Sequence, residues 1–346
     1  MQVASAANDL SYTVQITYTF ENRSNETYSL PDSYLTMFDF QSDQHQMITT
    51  VESSHTVSEY ITDDDGNVFN LLGAPRDIPA FGNTSIYVHY SIQSSDRPRP
   101  EIDSEAAANI ADIPVSLVDE YCLETETFNW SGRVEVLAGE IMDIEDSVLE
   151  QVISAVEWIM ENVDYTNFDT PLYPIETIED GKGDCDDQAI LLISMLRSMG
   201  IPAYLQVGMV LDSRITGEDT VWGGHMMAKQ DGVGWHGWAM VYVPPWGWIP
   251  VDLTLVPPGD ASNAIYEAPE YYSFIITAYN VSRQAYIAEG RSERSDIMSG
   301  NLYITIEDIG YFAKDNGFGD QTMIILGLGT AAALCIIYLF ISTRNS

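Results

Sequence analysis

Cys185 stands in the stretch GKGDCDDQAILLISMLRSMGIPA, where Cys185, Ala189, Leu192 and Leu196 recur at helical spacing and Gly200 and Pro202 end the run. A thiol in the first turn of a helix is offered backbone N–H groups and the positive end of the helix dipole, both of which favour the thiolate. Gly181 and Gly183 give a tight approach and leave space for a substrate backbone. Asp184, Asp186 and Asp187 oppose a thiolate electrostatically, so the chemistry demands a cationic partner. The chain has five histidines, His45, His55, His89, His225 and His236. The first three fall in a strand-rich N-terminal region. His236 opens HGWAMVYVPPWGWIPVDLT, which reads as a strand, a turn at Pro244–Gly247 and a return strand ending at Asp252. In such a hairpin the start of one strand neighbours the end of the other, which would let His236 touch Asp252. Cys185, His236 and Asp252 are then a nucleophile, a base and a carboxylate that fixes the imidazole tautomer. His225, in the glycine-rich Trp222–His225 loop, is the rival base and is set aside because it does not start a strand.

The two blocks, with cysteine at a helix start followed by His-x-Trp, Gly-Trp and Asp-x-Thr, resemble the transglutaminase-like superfamily. Helix Ser147–Val163, carrying Trp158, Asn162 and then Tyr165, is similar to the helix that precedes the cysteine block there, so the resemblance covers roughly Ser147–Thr254. It implies a papain-like α+β domain in which Cys185 attacks an amide carbonyl, His236 shuttles protons and Asp252 orients the ring. The product is a thioester acyl-enzyme, formed without cofactor or metal. The backbone N–H of Cys185 is the expected oxyanion donor. The expected partner is a protein or peptide of the cell envelope, with hydrolysis (peptidase or isopeptidase) preferred over cross-linking. An inactive binding or envelope-structural module is the alternative from a different class.

These residues need a scaffold. From Ser11 the chain alternates, with Tyr12, Val14, Ile16, Tyr18 and Phe20 on one face, and strand-like stretches recur at Leu35–Phe40, Met47–Val51, Val57–Ile61, Val68–Leu72 and Ile86–Ile92. This predicts an N-terminal β-sandwich over 9–97, similar to the one ahead of this module in membrane-anchored prokaryotic, especially archaeal, members. Asp63–Asn67 reads as a hairpin turn rather than a calcium loop, since EF-hand spacing is missing. Arg97-Pro98-Arg99-Pro100 marks a linker, and 98–146 is a connecting region without a clear pattern. The Ser-Val-Leu-Glu capping box at Ser147 opens a transglutaminase-like α+β domain over 147–300. A juxtamembrane segment over 301–321 and a transmembrane helix over 322–342 follow.

The last assignment rests on Met323–Ile341, which carries no charge. At ~1.5 Å per residue such a helix matches a ~30 Å hydrocarbon core. Arg344 after it, and Asp315 and Asp320 before it, put the tail inside and the bulk of the chain outside a single-pass membrane anchor. Five N-x-S/T sequons, at Asn22, Asn25, Asn83, Asn129 and Asn280, agree with export. The net charge of −38 argues against nucleic acid as a partner. With 45% hydrophobic residues the chain can still fill a core, so the acid belongs on a surface suited to salt. Cys122, Cys185 and Cys335 are too few for a disulfide framework and include no CxxC metal pair. Cys122 and Cys335 read as packing residues.

Overall fold

The computed structural model describes residues 10–257 and 259–312. The N-terminal third supplies β1 (Leu10–Asn22), β2 (Thr36–Phe38), β3 (Gln46–Ser53), β4 (Val57–Thr62), β5 (Val68–Leu72) and β6 (Asn83–Ser94). Helices α1 (Val115–Tyr121), α2 (Arg133–Ile141), α3 (Val148–Asn162), α4 (Pro174–Asp180) and α5 (Cys185–Ser198) follow. The rest comprises β7 (Ala203–Val221), β8 (Met226–Val243), β9 (Gly247–Val251), α6 (Asn263–Tyr266), β10 (Ile275–Val281), α7 (Tyr286–Ser299) and β11 (Leu302–Phe312).

Period-two alternation makes β1 a strand with Tyr12, Val14, Ile16, Tyr18 and Phe20 all buried. β6 repeats the pattern with Ile86, Val88, Tyr90 and Ile92. Strands β2, β5 and β4 form a smaller sheet whose Phe38 and Phe69 lie in the same core; Phe40, just beyond β2, meets Tyr90 edge-on at 4.8 Å. The β4–β5 turn is built by Asp63, which accepts the N–H groups of Asp65 and Asn67 at 2.9 and 2.8 Å. Asp65 in turn accepts the N–H of Ser282 at 2.9 Å, docking the hairpin on the residue that follows β10.

That docking is part of a larger departure from two separate units. One eight-stranded sheet, in the order β10-β7-β8-β11-β1-β6-β3 with β9 added to β8, crosses the boundary drawn at the Arg97–Pro100 linker. The joint is β11. It pairs antiparallel with β1 from Tyr12↔Phe312 to Asn22↔Leu302, and parallel with β8 from Met226↔Ile304 to Asp231↔Ile309. Residues 302–312, expected as part of a juxtamembrane connector, are therefore a strand inside the sheet. Its partners are over 200 residues apart in the chain, and no local pattern announces such a pairing. The fold is mixed α/β with one sheet shared by both halves. The linker is fastened too: Arg97 donates to the carbonyls of Glu270 and Ile275 at 3.2 Å and to Gln46 Oε1 at 2.9 Å.

The expected transmembrane helix over 322–342, and Cys335 within it, lie outside the described residues. Among the described residues no helix is long and apolar enough to cross a membrane. Of the sequon asparagines, Asn22 is fully buried and its amide donates to the carbonyls of Glu26, Ile78 and Pro79, so its role is structural.

Candidate active site

Helix α5 is buried along its whole length from Cys185 to Arg197, between β7 and β8 on one side and α2, α3 and α4 on the other. Its approach is fixed on both flanks. Gly181 ends α4 in the left-handed region, at φ 61°, where a side chain would be strained. Lys182–Gly183 then pairs in parallel with Asp164–Tyr165, the segment leaving α3. Gly183 is needed for space as well, because a Cβ there would come within 2.8 Å of Asp187 Cβ. Asp187 accepts the N–H of Asp184 at 3.1 Å and of Leu172 at 2.7 Å, closing the first turn of α5.

Strand β8 has β7 along one side. On its other side β11 ends at Asp231 and β9 begins at Ala239, so among the described residues 232–238 have no strand there. The start of α5 comes to this gap. The Gly237 N–H donates to Cys185 Sγ, and a Cβ on Gly237 would stand only 3.2 Å from Asp186 Cβ. The thiol thus lies against the backbone next to His236. His236 Nε2 lies 2.5 Å from Asp252 Oδ2, with exposures of 1% and 2% for the two side chains. The other Asp252 oxygen accepts the N–H groups of Thr254 and Leu255 at 2.9 and 3.0 Å. One carboxylate both caps the turn after β9 and holds the imidazole. With Nε2 committed to Asp252, Nδ1 is the nitrogen left to exchange a proton with a thiol. His236 sits inside β8 rather than at its start, which the sequence placed ten residues too late.

Burial works to raise the Asp252 pKa, but the charge and hydrogen bond of His236 and the two backbone N–H groups hold it below the usual carboxylate value. The helix-start aspartates behave oppositely. Burial, then the Asp186 charge, raises Asp184 well above its ordinary value; burial, then the Asp184 charge, does the same for Asp187; burial pushes Asp186 up to about 7. Asp184 and Asp186 share a hydrogen bond, and each leaves one buried oxygen without any other donor. Burial thus shifts the acid beside Cys185 toward its neutral form, which opposes a thiolate less than bare charges would. Burial foremost, then Asp184 and Asp186, still raises the Cys185 thiol, while the Gly237 N–H pulls it down. Ligand atoms of Asp184, Cys185 and Asp186 lie within 4.8 Å of one another, the one grouping among the described residues that could hold a cation, and no histidine joins it.

His225 is elsewhere. It precedes β8, donates Nδ1–H to the Leu302 carbonyl at 3.0 Å and stacks on Tyr303 at 4.3 Å. Cys122 follows α1, half-buried, its thiol pushed up to about 11 by burial. One residue at the site, Glu270, escaped the sequence reading; its partner, Trp238, is the tryptophan of the His-x-Trp block. Trp238 stacks on His236, ring centroids 5.8 Å apart and planes 26° apart, and its Nε1–H donates to Glu270 Oε2 at 2.9 Å. The two-residue spacing on a strand puts Trp238 on the same face as His236. Nothing local flags Glu270, which lies in a segment of poor pattern.

Residues 135–253 match the family model of the transglutaminase-like superfamily. A candidate cysteine protease from Cytophaga hutchinsonii is similar over 90% of this chain and 93% of its own, with a TM-score of 0.53 at 14% identity, a likeness of fold alone. The periplasmic domain of TgpA from Pseudomonas aeruginosa matches 76% of this chain and 92% of its own, at 15% identity and TM-score 0.31. LapG from Legionella pneumophila matches 57% and 99%, at 16% and 0.30. No curated protein sequence matches.

Proposed function

We propose that this protein is a cysteine-dependent amide acyl-transfer enzyme with Cys185 as nucleophile, His236 as base and Asp252 as the group that orients it. The observation that carries the reading is the buried 2.5 Å contact between His236 Nε2 and Asp252 Oδ2, on the strand whose next N–H meets the Cys185 sulfur. The thiol proton passes to His236 Nδ1 as Sγ bonds the amide carbon. The tetrahedral oxyanion meets the N–H of Cys185, which as the first residue of α5 has no acceptor within the helix. The C–N bond breaks as the imidazolium gives its proton to the leaving amine, leaving a thioester. Water, deprotonated by the same imidazole, attacks the thioester and expels the thiolate.

Hydrolysis of a protein or peptide of the cell envelope is the preferred outcome, with an amine replacing water in the cross-linking alternative. The uncharged Met323–Ile341 run supports a single-pass anchor that leaves the bulk of the chain outside the cell. One observation favours a second reading, an inactive binding module: Cys185 is 4% exposed and its thiol is held protonated by burial. Iodoacetamide labelling of the full chain across pH, with Cys185→Ala and His236→Ala as controls, separates the two. The enzyme reading expects Cys185 to label faster than a free thiol below pH 8 and to slow sharply without His236. Equal rates with and without His236 establish the inactive module.

A further inference from the structure

The geometry points to Glu270 as a positioning residue for His236, acting through Trp238, so that a carboxylate outside the Cys185–His236–Asp252 group sets the plane of the imidazole. The inference rests on the proposed role of His236 as base.

Trp238 follows His236 by two positions on β8 and shares its face of the sheet. Three contacts confine its indole. The imidazole stacks on one side at 5.8 Å. Glu270 Oε2 accepts the indole N–H at 2.9 Å, and both side chains are buried. The third contact is Gly208 on β7, the cross-strand partner of His236, where a Cβ would stand 2.7 Å from Trp238 Cη2 and 2.3 Å from the Ile276 carbonyl oxygen. The ring therefore occupies space that any other residue at 208 would fill. Val210, Met240, Leu255, Phe274 and Ile275 close a small apolar cluster around it, separate from the main core.

Glu270 is itself held by the N-terminal half. Arg97 donates to its backbone carbonyl, the Arg97 N–H donates to the Tyr271 carbonyl at 2.7 Å, and Asp96 accepts the N–H of Ser273 at 2.9 Å. A continuous set of contacts runs from the linker through Glu270 and Trp238 to His236 and Asp252. The charged and titratable groups facing the Glu270 carboxyl are Arg97, Asp43, Asp252, Tyr204 and Tyr271. Burial above all pushes Glu270 up to about 7; Arg97 and the Trp238 N–H pull it down, and Asp43 and Asp252 push it up. An ionised carboxylate accepts the indole N–H in a stronger, charge-assisted bond than a neutral acid does. The grip on Trp238 consequently tightens as pH rises through about 7.

The test uses the full chain with 15N-labelled histidine and tryptophan, comparing wild type with Glu270→Gln and Glu270→Ala, and His236→Ala and Trp238→Phe for assignment. In wild type the Trp238 indole resonances follow the titration of Glu270, with a midpoint near 7. Glu270→Gln keeps an acceptor but abolishes that titration. Glu270→Ala displaces both sets of resonances and slows iodoacetamide labelling of Cys185 by about tenfold, short of the ~100-fold that a 1 Å misplacement costs. His236 resonances and a labelling profile unchanged in folded Glu270→Ala overturn the inference. If that variant does not fold, a Trp238 indole titration near 7 that persists in Glu270→Gln overturns it. Labelling that is indifferent to His236 removes the enzyme reading alone, since the resonances still report whether Glu270 governs the ring.

Discussion

Trp235 donates its indole N–H to Asp308 Oδ2 over 2.9 Å, tying β8 to β11 one residue before His236. The strand carrying the candidate base is thereby held by the strand that joins the two halves of the sheet. Asp308 is buried, and burial pushes its pKa up to about 7, against the pull of the Trp235 hydrogen bond. A folded-state value raised above the unfolded one means that stability is complete below about pH 4 and is lost as pH rises to about 7.

Asp308→Asn keeps an acceptor for Trp235 and removes that titration, so it should stabilise the protein at pH 8 relative to pH 4. The slope it removes is about 1.4 kcal/mol per pH unit between the two pKa values. Asp308→Ala removes the titration too but orphans the buried indole N–H, so it should be about 1–3 kcal/mol less stable than Asp308→Asn at either pH. Urea unfolding at both pH values in constant salt checks both; equal pH slopes in wild type and Asp308→Asn would refute the assignment.

Asp252→Asn tests the orienting carboxylate. An amide can still bond Nε2 but no longer supports an imidazolium, and Cys185 labelling should fall on the order of 10²–10⁴-fold. The fold should survive, since the amide oxygen can still accept the Thr254 and Leu255 N–H groups. Because Asp252 lies below the usual carboxylate value, its share of stability is present above about pH 4 and is lost only as pH falls through the lower, folded value. Acid unfolding of Asp252→Asn should therefore be shallower at its low-pH end, as read by circular dichroism.

Gly208→Ala should destabilise by about 1–3 kcal/mol, because the added methyl meets the Ile276 carbonyl and the Trp238 ring at 2.3 and 2.7 Å. Gly217, on the same strand, has nothing within 4 Å of a built Cβ and serves as the control. Equal melting temperatures for the two alanine variants would show that β10 gives way without cost.

What could be read from sequence was whatever local chemistry controls. The Ser147 capping box is formed, with the Glu150 carboxylate accepting the Ser147 N–H at 3.0 Å, and α3 starts at the next residue. The helix at Cys185 and the hairpin leading to Asp252 follow from periodicity and a tight turn, and with them comes the 2.5 Å His236–Asp252 contact. Partners chosen by the folded chain were not legible. β11 alternates like any strand, but its place between β1 and β8 depends on pairings remote in sequence. Glu270 and Asp308 read as surface acids because charge alone does not reveal burial. The same blindness made the aspartates around Cys185 look like bare charges.

Those aspartates lead to the sharpest prediction about the nucleophile. Asp186 holds Tyr286 Oη at 3.4 Å, shares a hydrogen bond with Asp184 and lies beside the Cys185 sulfur. Pushed up to about 7, it is neutral in mild acid and ionised in mild base, where its charge adds to the burial that keeps the thiol protonated. Replacing it by asparagine removes that charge while keeping an acceptor for Tyr286. The pH profile of iodoacetamide labelling at Cys185 should then move to lower pH, with the largest gain over wild type above pH 7. A tenfold gain in thiolate at a given pH corresponds to about 1.4 kcal/mol in its favour. A profile displaced to higher pH, or left in place, would mean that Asp186 supports the thiolate through hydrogen bonding more than it opposes it by charge.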